Sequence, residues 1–240
     1  MAHPPLLKIP LLLILAGSHH ISFTPPNKPH SSHELSAPSL WENGIRRFMN
    51  LTHFVKAVVW TAAIGEATIL LTQRYPSIPL AHQITRLLVH NRQSSPELTT
   101  TLAFLLGLLL VLAGTSIRYR CYRALGRLFT FELNIRPKHR LVTSGPYSIV
   151  RHPSYTGTLL CDMGVFLWLF SRGSLVRECG IIENQAARLV LLAYVLVAGT
   201  VATALVRRIP AEDAMMKKEF GKDWDDWARR VPYKLLPGVY

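Results

Sequence analysis

Residues 99–117 read TTTLAFLLGLLLVLAGTSI, nineteen consecutive positions without a charged side chain. Crossing the hydrocarbon of a bilayer takes about 20 mostly apolar residues in a helix. A helix satisfies its own backbone groups there, which an isolated strand cannot do. This run therefore decides the class of fold, and three further runs of the same kind lie on either side of it, at 51–73, 155–171 and 187–206. The run 155–171 is the shortest of these, and 51–73 contains Lys56 and Glu66. A fifth candidate, 6–23, is interrupted by Lys8, Pro10 and the pair His19–His20. A basic residue ahead of the short apolar core 9–16 also fits a signal peptide. No small-x-small cleavage site follows, so the segment reads as a first membrane helix. The Pro-, Ser- and His-rich stretch 25–38 reads as a loop. The expected architecture is an all-α polytopic membrane bundle of about five transmembrane helices.

Composition agrees. Of 240 residues, 49% are hydrophobic and 17% charged, and the mean hydropathy is +0.21. Soluble domains carry roughly 25% charged residues, so the composition argues against an ordinary soluble protein, and the apolar runs exclude disorder. Cys121, Cys161 and Cys179 have no CxxC spacing, which argues against a disulfide framework or a zinc module. The formal net charge of +13 suggests anionic partners, and the apolar runs make a lipid surface the favoured one. With five spans, nineteen basic residues fall in 24–50, 118–153 and the tail after 206, against six in the alternate loops. The positive-inside rule then puts 118–153 and the tail in the cytosol and the N-terminus on the opposite side.

Glu66 and Asp162 lie within apolar runs. Intramembrane acids face a bundle interior or a polar cavity and are often functional. The alternative is a neutral or hydrogen-bonded acid near a helix end.

The densest polar signal is LVTSGPYSIVRHPSYTG at 141–157. Gly145–Pro146 makes a turn. Pro153 has no N–H to donate and suits the first turn of a helix. His152 is then at a helix entrance with Tyr155 in the first turn. The free N–H groups there, with Arg151 alongside, form an expected anion site, and Gly157 leaves expected room for a flat ligand. An interfacial loop with aromatic and basic anchors is the alternative.

A second cluster, RRIPAED at 207–213, follows the last span. Its arginines and acids fit a basic flank plus a helix N-terminal acid. They also fit a guanidinium fork for a substrate carboxylate beside an acid for a ligand's ribose or ammonium group. The stretch 211–220, closed by Gly221, reads as a helix with its stop. Residues 222–231, with Trp224, Trp227, Ala228 and Val231, read either as an amphipathic interfacial helix or as one packed against the bundle.

Together, HRLVTSGPYSIVRHPSYTG at 139–157 and RRIPAEDAMMKKEFGKDWDDWARRVP at 207–232 resemble the isoprenylcysteine carboxyl methyltransferase family. The likeness covers nearly half the chain, from about residue 125 to 237, with both motifs in the right order and each next to a span. It implies an integral membrane enzyme, commonly of the endoplasmic reticulum, with a cytosolic cofactor pocket formed by 118–153 and the C-terminal helices. Such an enzyme uses S-adenosylmethionine to methylate the carboxylate of a C-terminal prenylcysteine.

The resemblance further implies that His139, Arg140, Leu141, Val142, Tyr147, His152, Pro153, Ser154, Tyr155 and Glu212 contact the cofactor. Arg208 is implied to contact the substrate and carry the reaction. Glu132 stands at a cofactor-contacting position where the family commonly has Gln, and an ionised Glu has no amide donor. Asp213 is one methylene shorter than the family's second acid. Trp224 and Trp227 replace tail tyrosines.

Residue by residue, the chain has no nucleophile–base set, metal-ligand spacing or Gly-rich dinucleotide fingerprint. Methylation of a carboxylate requires none of them, because an α-carboxyl with pKa near 3.3–3.7 is already ionised at neutral pH. The expected division is 1–50 for the first membrane helix and its loop, 51–117 for helices two and three, and 118–240 for the catalytic core. Expected partners are prenylated protein C-termini, such as those of small GTPases, and membrane lipids. The other readings are a methyltransferase for phospholipid amines or another lipid acid, a nicotinamide-dependent membrane reductase, and a non-catalytic membrane relative. A nucleic-acid module fits least, since the charge flanks membrane spans.

Overall fold

The computed structural model describes residues 5–27, 40–89, 96–129 and 140–240, without the side chains of 40–50 and of positions 79, 80, 82 and 84. Most of the 25–38 loop lies outside the described residues. The described chain is helical: α1 (Lys8–Ser22), α2 (Leu40–Arg74), α3 (Pro79–Leu88), α4 (Leu102–Leu125), α5 (Pro153–Phe170), α6 (Leu175–Glu178), α7 (Gln185–Phe220) and α8 (Lys222–Arg230). Short 3-10 turns occupy Gly126–Leu128, Gly145–Ser148 and Ile181–Glu183.

Among the described residues, four segments are long and apolar enough to cross a membrane: Leu51–Arg74, Leu102–Leu128, Pro153–Glu178 and Gln185–Phe220. These correspond to the four runs read from the sequence. The expected fifth membrane helix is present as α1, but its 15 residues give only about 22 Å at 1.5 Å per residue. Hydrocarbon is about 30 Å thick, so α1 falls short of a full span. It is nonetheless embedded in the bundle, with Leu12, Leu15 and Ala16 fully buried.

Two expectations about helix limits are corrected. The second run continues through Arg118 and Arg123 to Leu125, so the loop counted from residue 118 starts about eight residues later. The pieces 187–206 and 211–220 form one helix of 36 residues with Pro210 inside it. The acid-at-a-helix-start reading of Glu212 and Asp213 is thereby overturned, since both lie in a helix interior. Gly221 does end that helix, at φ 51°, a conformation that costs a residue without Cβ least.

The centre of the bundle is the antiparallel pair α4–α5. Glycines two turns apart on each helix face each other, Gly107 with Gly164 and Gly114 with Gly157. A Cβ at Gly107 would stand 2.6 Å from the Gly164 carbonyl oxygen, and one at Gly157 would stand 2.7 Å from both Arg118 Cγ and the Gly114 oxygen. Small residues let helix backbones approach closely in lipid, where packing replaces the hydrophobic drive. This corrects the expectation for Gly157, whose free space is taken by α4 and not by a ligand. Gly164→Val is expected to force the pair apart and destabilise the protein by about 1–3 kcal/mol or more. A thermal-unfolding midpoint in detergent equal to wild type would contradict backbone-on-backbone packing.

Arg118, on α4, is buried and ties three helices together at one end of the bundle. Its Nε donates to Ser22 O at 2.7 Å, and its Nη1 to Ser154 O at 3.1 Å, Ser154 Oγ at 3.0 Å and Thr158 Oγ1 at 2.5 Å. The other end is tied by Lys8 and Glu66, 2.5 Å apart and 0% and 1% exposed. Lys8 Nζ also donates to Thr99 O and Gly173 O at 2.6 and 2.7 Å. Glu66 Oε2 accepts from Trp168 Nε1 at 3.2 Å and Leu175 N at 3.0 Å. Glu66 is thus a paired structural acid.

These contacts, with Lys56 Nζ on Thr24 Oγ1 for α2 and Tyr155 on Glu212 for α7, fix the directions of the helices. α1, α4 and α7 run towards the Arg118 end, and α2 and α5 run away from it. The chain leaving α4, the turn entering α5 and the end of α7 therefore share one end of the bundle. The alternation expected from the sequence is the alternation observed.

Candidate active site

Pro153 opens α5, with His152 as its N-cap residue. The ring locks φ near −65° and removes an N–H that would have had no helical acceptor. His152 and Tyr155 stack at 5.4 Å between ring centroids, 19° from parallel. Opposite them runs the last third of α7. Here the four-residue spacing of Arg208 and Glu212 puts the guanidinium and the carboxylate on one face, with Nε 3.5 Å from Oε2.

The two distant motifs touch across this gap. The Tyr155 hydroxyl donates to Glu212 Oε2. His152 Nε2 lies 3.0 Å from Asp213 Oδ1, and Arg151 Nη1 lies 3.2 Å from Asp213 Oδ2. Two consecutive acids on α7 therefore divide their partners. Asp213 holds the Arg151–His152 turn, and Glu212 faces Tyr155 and Arg208 through one oxygen.

Tyr147 completes the wall from the loop before α5. Its side chain packs against Cys121, Tyr122 and Phe129, and its carbonyl accepts from Trp227 Nε1 at 3.0 Å. Burial first, then the neighbouring Cys121 and Glu212, pushes the phenol well above its ordinary range. Tyr147 is therefore a neutral aromatic surface at neutral pH. Below it, Trp224, Trp227 and Val231 form a buried cluster with Leu141, Met216 and Phe220 packed against it. Of the two readings of 222–231, packing against the protein is the one seen. The Arg151 guanidinium lies 5.7 Å over the Trp224 ring.

The expected anion site at the α5 entrance is corrected. The Arg151 and His152 N–H groups donate to Tyr233 O at 2.9 Å and Lys234 O at 2.8 Å. Thr156 Oγ1 donates to Leu235 O at 2.7 Å. The chain's own tail closes that entrance, and the Arg151 charge is matched by Asp213.

The remaining sequence-derived site residues are placed as follows. Leu141 packs on the tryptophan cluster, and Arg140 is exposed. Val142 lies half-buried on the same approach. Ser154 turns away from α7, towards Arg118. Glu132 and His139 lie outside the described residues. Asp213 as the anchor of His152 and Arg151 was not anticipated. The adjacency of its acid to Glu212 was the available signal, since consecutive helix positions point about 100° apart and reach different neighbours.

An acid and a base one helical turn apart, beside a neutral aromatic wall, suit two ligands of opposite charge. The arrangement can place a cationic group at Glu212 and an anionic one at Arg208 within about 6 Å.

Comparison with known proteins locates this constellation. Residues 105–218 match the family model described as isoprenylcysteine carboxyl methyltransferase (ICMT) family. The chain is 33% identical over 128 residues, 52% of its length, to the protein-S-isoprenylcysteine O-methyltransferase B of Arabidopsis thaliana, covering 55% of that protein. It is 29% identical over 127 residues to a probable protein-S-isoprenylcysteine O-methyltransferase of Oryza sativa subsp. indica, covering 56% of it. A delta(14)-sterol reductase of Mus musculus matches at 30% over 101 residues, 20% of that protein. The chain thus spans about half the length of the methyltransferase relatives it matches. Residues 105–218, which hold most of α4, all of α5, Arg208 and Glu212, are thus similar to the isoprenylcysteine carboxyl methyltransferase family.

Proposed function

We propose that this protein transfers a methyl group from S-adenosylmethionine to the C-terminal carboxylate of a prenylated cysteine. The observation that carries the reading is the meeting of the two motifs at Tyr155–Glu212 and His152–Asp213, within the segment that matches a methyltransferase family model.

The residues present fit the methyl donor. Glu212 offers a carboxylate oxygen to hydroxyl or ammonium donors, and the His152–Tyr155 stack and Tyr147 give flat surfaces for a nucleoside. Glu212, Tyr155, Tyr147 and His152 are the proposed holders, with Pro153, Leu141 and Val142 shaping the wall. Ser154 supports His152 and Tyr155 from the α4 side through its bonds to Arg118. Arg140, Glu132 and His139 complete the cofactor side in this reading. When bound, S-adenosylmethionine supplies a methyl group activated by its sulfonium charge.

Arg208 takes the anionic partner. It orients the substrate carboxylate through one oxygen and leaves the other free to act as the nucleophile toward the methyl carbon. No residue is required to remove a proton, since the acid is ionised already. What the protein contributes is alignment and the exclusion of water. Asp213 fixes His152, and through it the α5 entrance, against α7. The prenyl chain, at about 0.8 kcal/mol per buried CH₂, approaches through lipid between helices while its carboxylate stays at the Arg208 end. In this reading 118–240 is the catalytic unit, with 1–50 and 51–117 as its membrane scaffold. The substrates are prenylated protein C-termini, and the site faces the cytosol from the endoplasmic reticulum, because the basic segments gather at that end.

Membranes containing the protein, incubated with labelled S-adenosylmethionine and a small prenylcysteine acid, are expected to form a base-labile methyl ester. The unprenylated cysteine analogue should give none. Label in a lipid amine, or none in any ester while a nicotinamide cofactor binds, would reject the reading.

A further inference from the structure

A polar group at the junction of α1 and α2 has no part in the arrangement above. Thr24 stands just past the end of α1 at Ser22. Lys56 lies in the segment that begins at Leu51, about 8 Å along the axis from its start. Its Nζ reaches back to Thr24 Oγ1 at 3.2 Å. The Thr24 hydroxyl gives its own proton to His20 O at 2.7 Å, so towards Lys56 it is an acceptor. One turn further along α2, Trp60 Nε1 donates to His20 Nδ1 at 3.3 Å. With Nδ1 accepting, the ring proton of His20 is on Nε2. His53 stands one turn before Lys56 and is exposed, as is His20.

Lys56 is 8% exposed. An ammonium has three N–H groups to donate, and Thr24 takes one of them. Among the described residues no carboxylate pairs with Lys56. The next acid along α2, Glu66, is matched by Lys8 at the far end of the bundle. A charge held at membrane depth without a counter-charge is costly. Reaching back towards the interface lowers that cost without supplying the missing partner.

The missing partner is an anion with several acceptor oxygens, able to meet a donor on α2 and another on α1 together. A phosphate meets that requirement, and the phosphates of a leaflet lie at the level where α1 ends and α2 enters the membrane. Basic pockets between membrane helices bind phosphate head groups in this way. We infer that the α1–α2 junction binds a phosphate group, with the Lys56 ammonium and the His20 Nε2–H as its donors. Trp60 sets the His20 tautomer that this requires. The ligand is additional to both methyl-transfer substrates, and the inference does not rest on that reading.

The test is equilibrium binding of tritiated dioleoyl phosphatidic acid and, separately, of radiolabelled inorganic phosphate to the full chain, delipidated in an uncharged detergent. Dioleoylglycerol, with the same acyl chains and no phosphate, serves as competitor. Saturable binding that dioleoylglycerol does not displace is expected for at least one phosphate probe. Phosphatidic acid alone would identify a lipid head group, inorganic phosphate alone a soluble phosphate, and both a site for the group whichever molecule carries it. Lys56→Met should weaken binding about tenfold or more, as for a hydrogen bond to a charged group, and His20→Phe about threefold. His20 is exposed, so its variant reports on binding even if Lys56→Met folds poorly. The bound probe should raise the unfolding midpoint of the wild type and leave that of Lys56→Met unchanged. Binding of neither probe, displacement by dioleoylglycerol, or affinity unchanged in both variants, as for a lysine that only reaches for water, would overturn the inference.

Discussion

Replacing Lys8 with methionine is expected to destabilise the protein by about 3–5 kcal/mol, the usual cost of removing one partner from a buried ion pair. Lys8 and Glu66 are 0% and 1% exposed and 2.5 Å apart. Without the ammonium, Glu66 keeps two neutral donors, Trp168 Nε1 and the Leu175 N–H, but loses its counter-charge. The carbonyls of Thr99 and Gly173 lose their donor as well. For a chain of this length such a loss lowers the unfolding midpoint by about 6–20 °C. Combining Lys8→Met with Glu66→Leu should recover much of it, because no charge is then left buried. Midpoints of the single and double variants in detergent provide the check. A single variant within about 2 °C of wild type would refute the pairing as a structural tie.

The second large effect is a crossed pair of losses in the site. Arg208→Ala is expected to lower kcat/KM for a prenylcysteine acid by about 10²–10³-fold, the range for removing a charged positioning donor. Its affinity for S-adenosylmethionine should stay within about threefold of wild type. Glu212→Ala should do the reverse, weakening the cofactor by about 10–100-fold, which corresponds to hydrogen bonds involving a charged group. Tyr155→Phe removes the hydroxyl that orients Glu212 and should follow Glu212→Ala in direction with a smaller loss. Cofactor binding by calorimetry and initial rates on the acid separate the two roles. Equal losses of both quantities in both variants, with helicity intact, would leave no basis for assigning one charge to each ligand.

The helical class and the long spans were legible because an uncharged run of nineteen residues has few other stable conformations. The α5 entrance was legible for a similarly local reason, since Pro153 constrains its own φ and offers no donor. Three features depended on partners far away in sequence. Gly157 looked like ligand space until α4 filled it, because close approach is a property of two helices and neither glycine pattern alone names its partner. The span 187–206 and the helix 211–220 were read as separate pieces, yet α7 runs through Pro210 between them. Proline removes one hydrogen bond and crowds the preceding turn, and packing of Ile209, which is fully buried, holds the helix together there. The Arg151–His152 N–H groups looked open because their acceptors, Tyr233 and Lys234, lie some eighty residues away. Lys8 and Glu66 each stood out as a charge in an apolar run. What was missing was the step of treating two such orphans as a pair.

The site is built across a seam whose two sides are held unequally. α4 and α5 are locked backbone to backbone, while α7 buries only Leu191, Tyr194 and Ile209 among its 36 residues. His152 and Tyr155 belong to the locked side, and Arg208 and Glu212 to the loosely held one. Any tilt of α7 driven by lateral pressure or bilayer thickness changes the gap between acceptor and donor directly. Turnover should therefore track acyl-chain length in reconstituted vesicles, which makes the surrounding lipid a determinant of rate and not just a solvent.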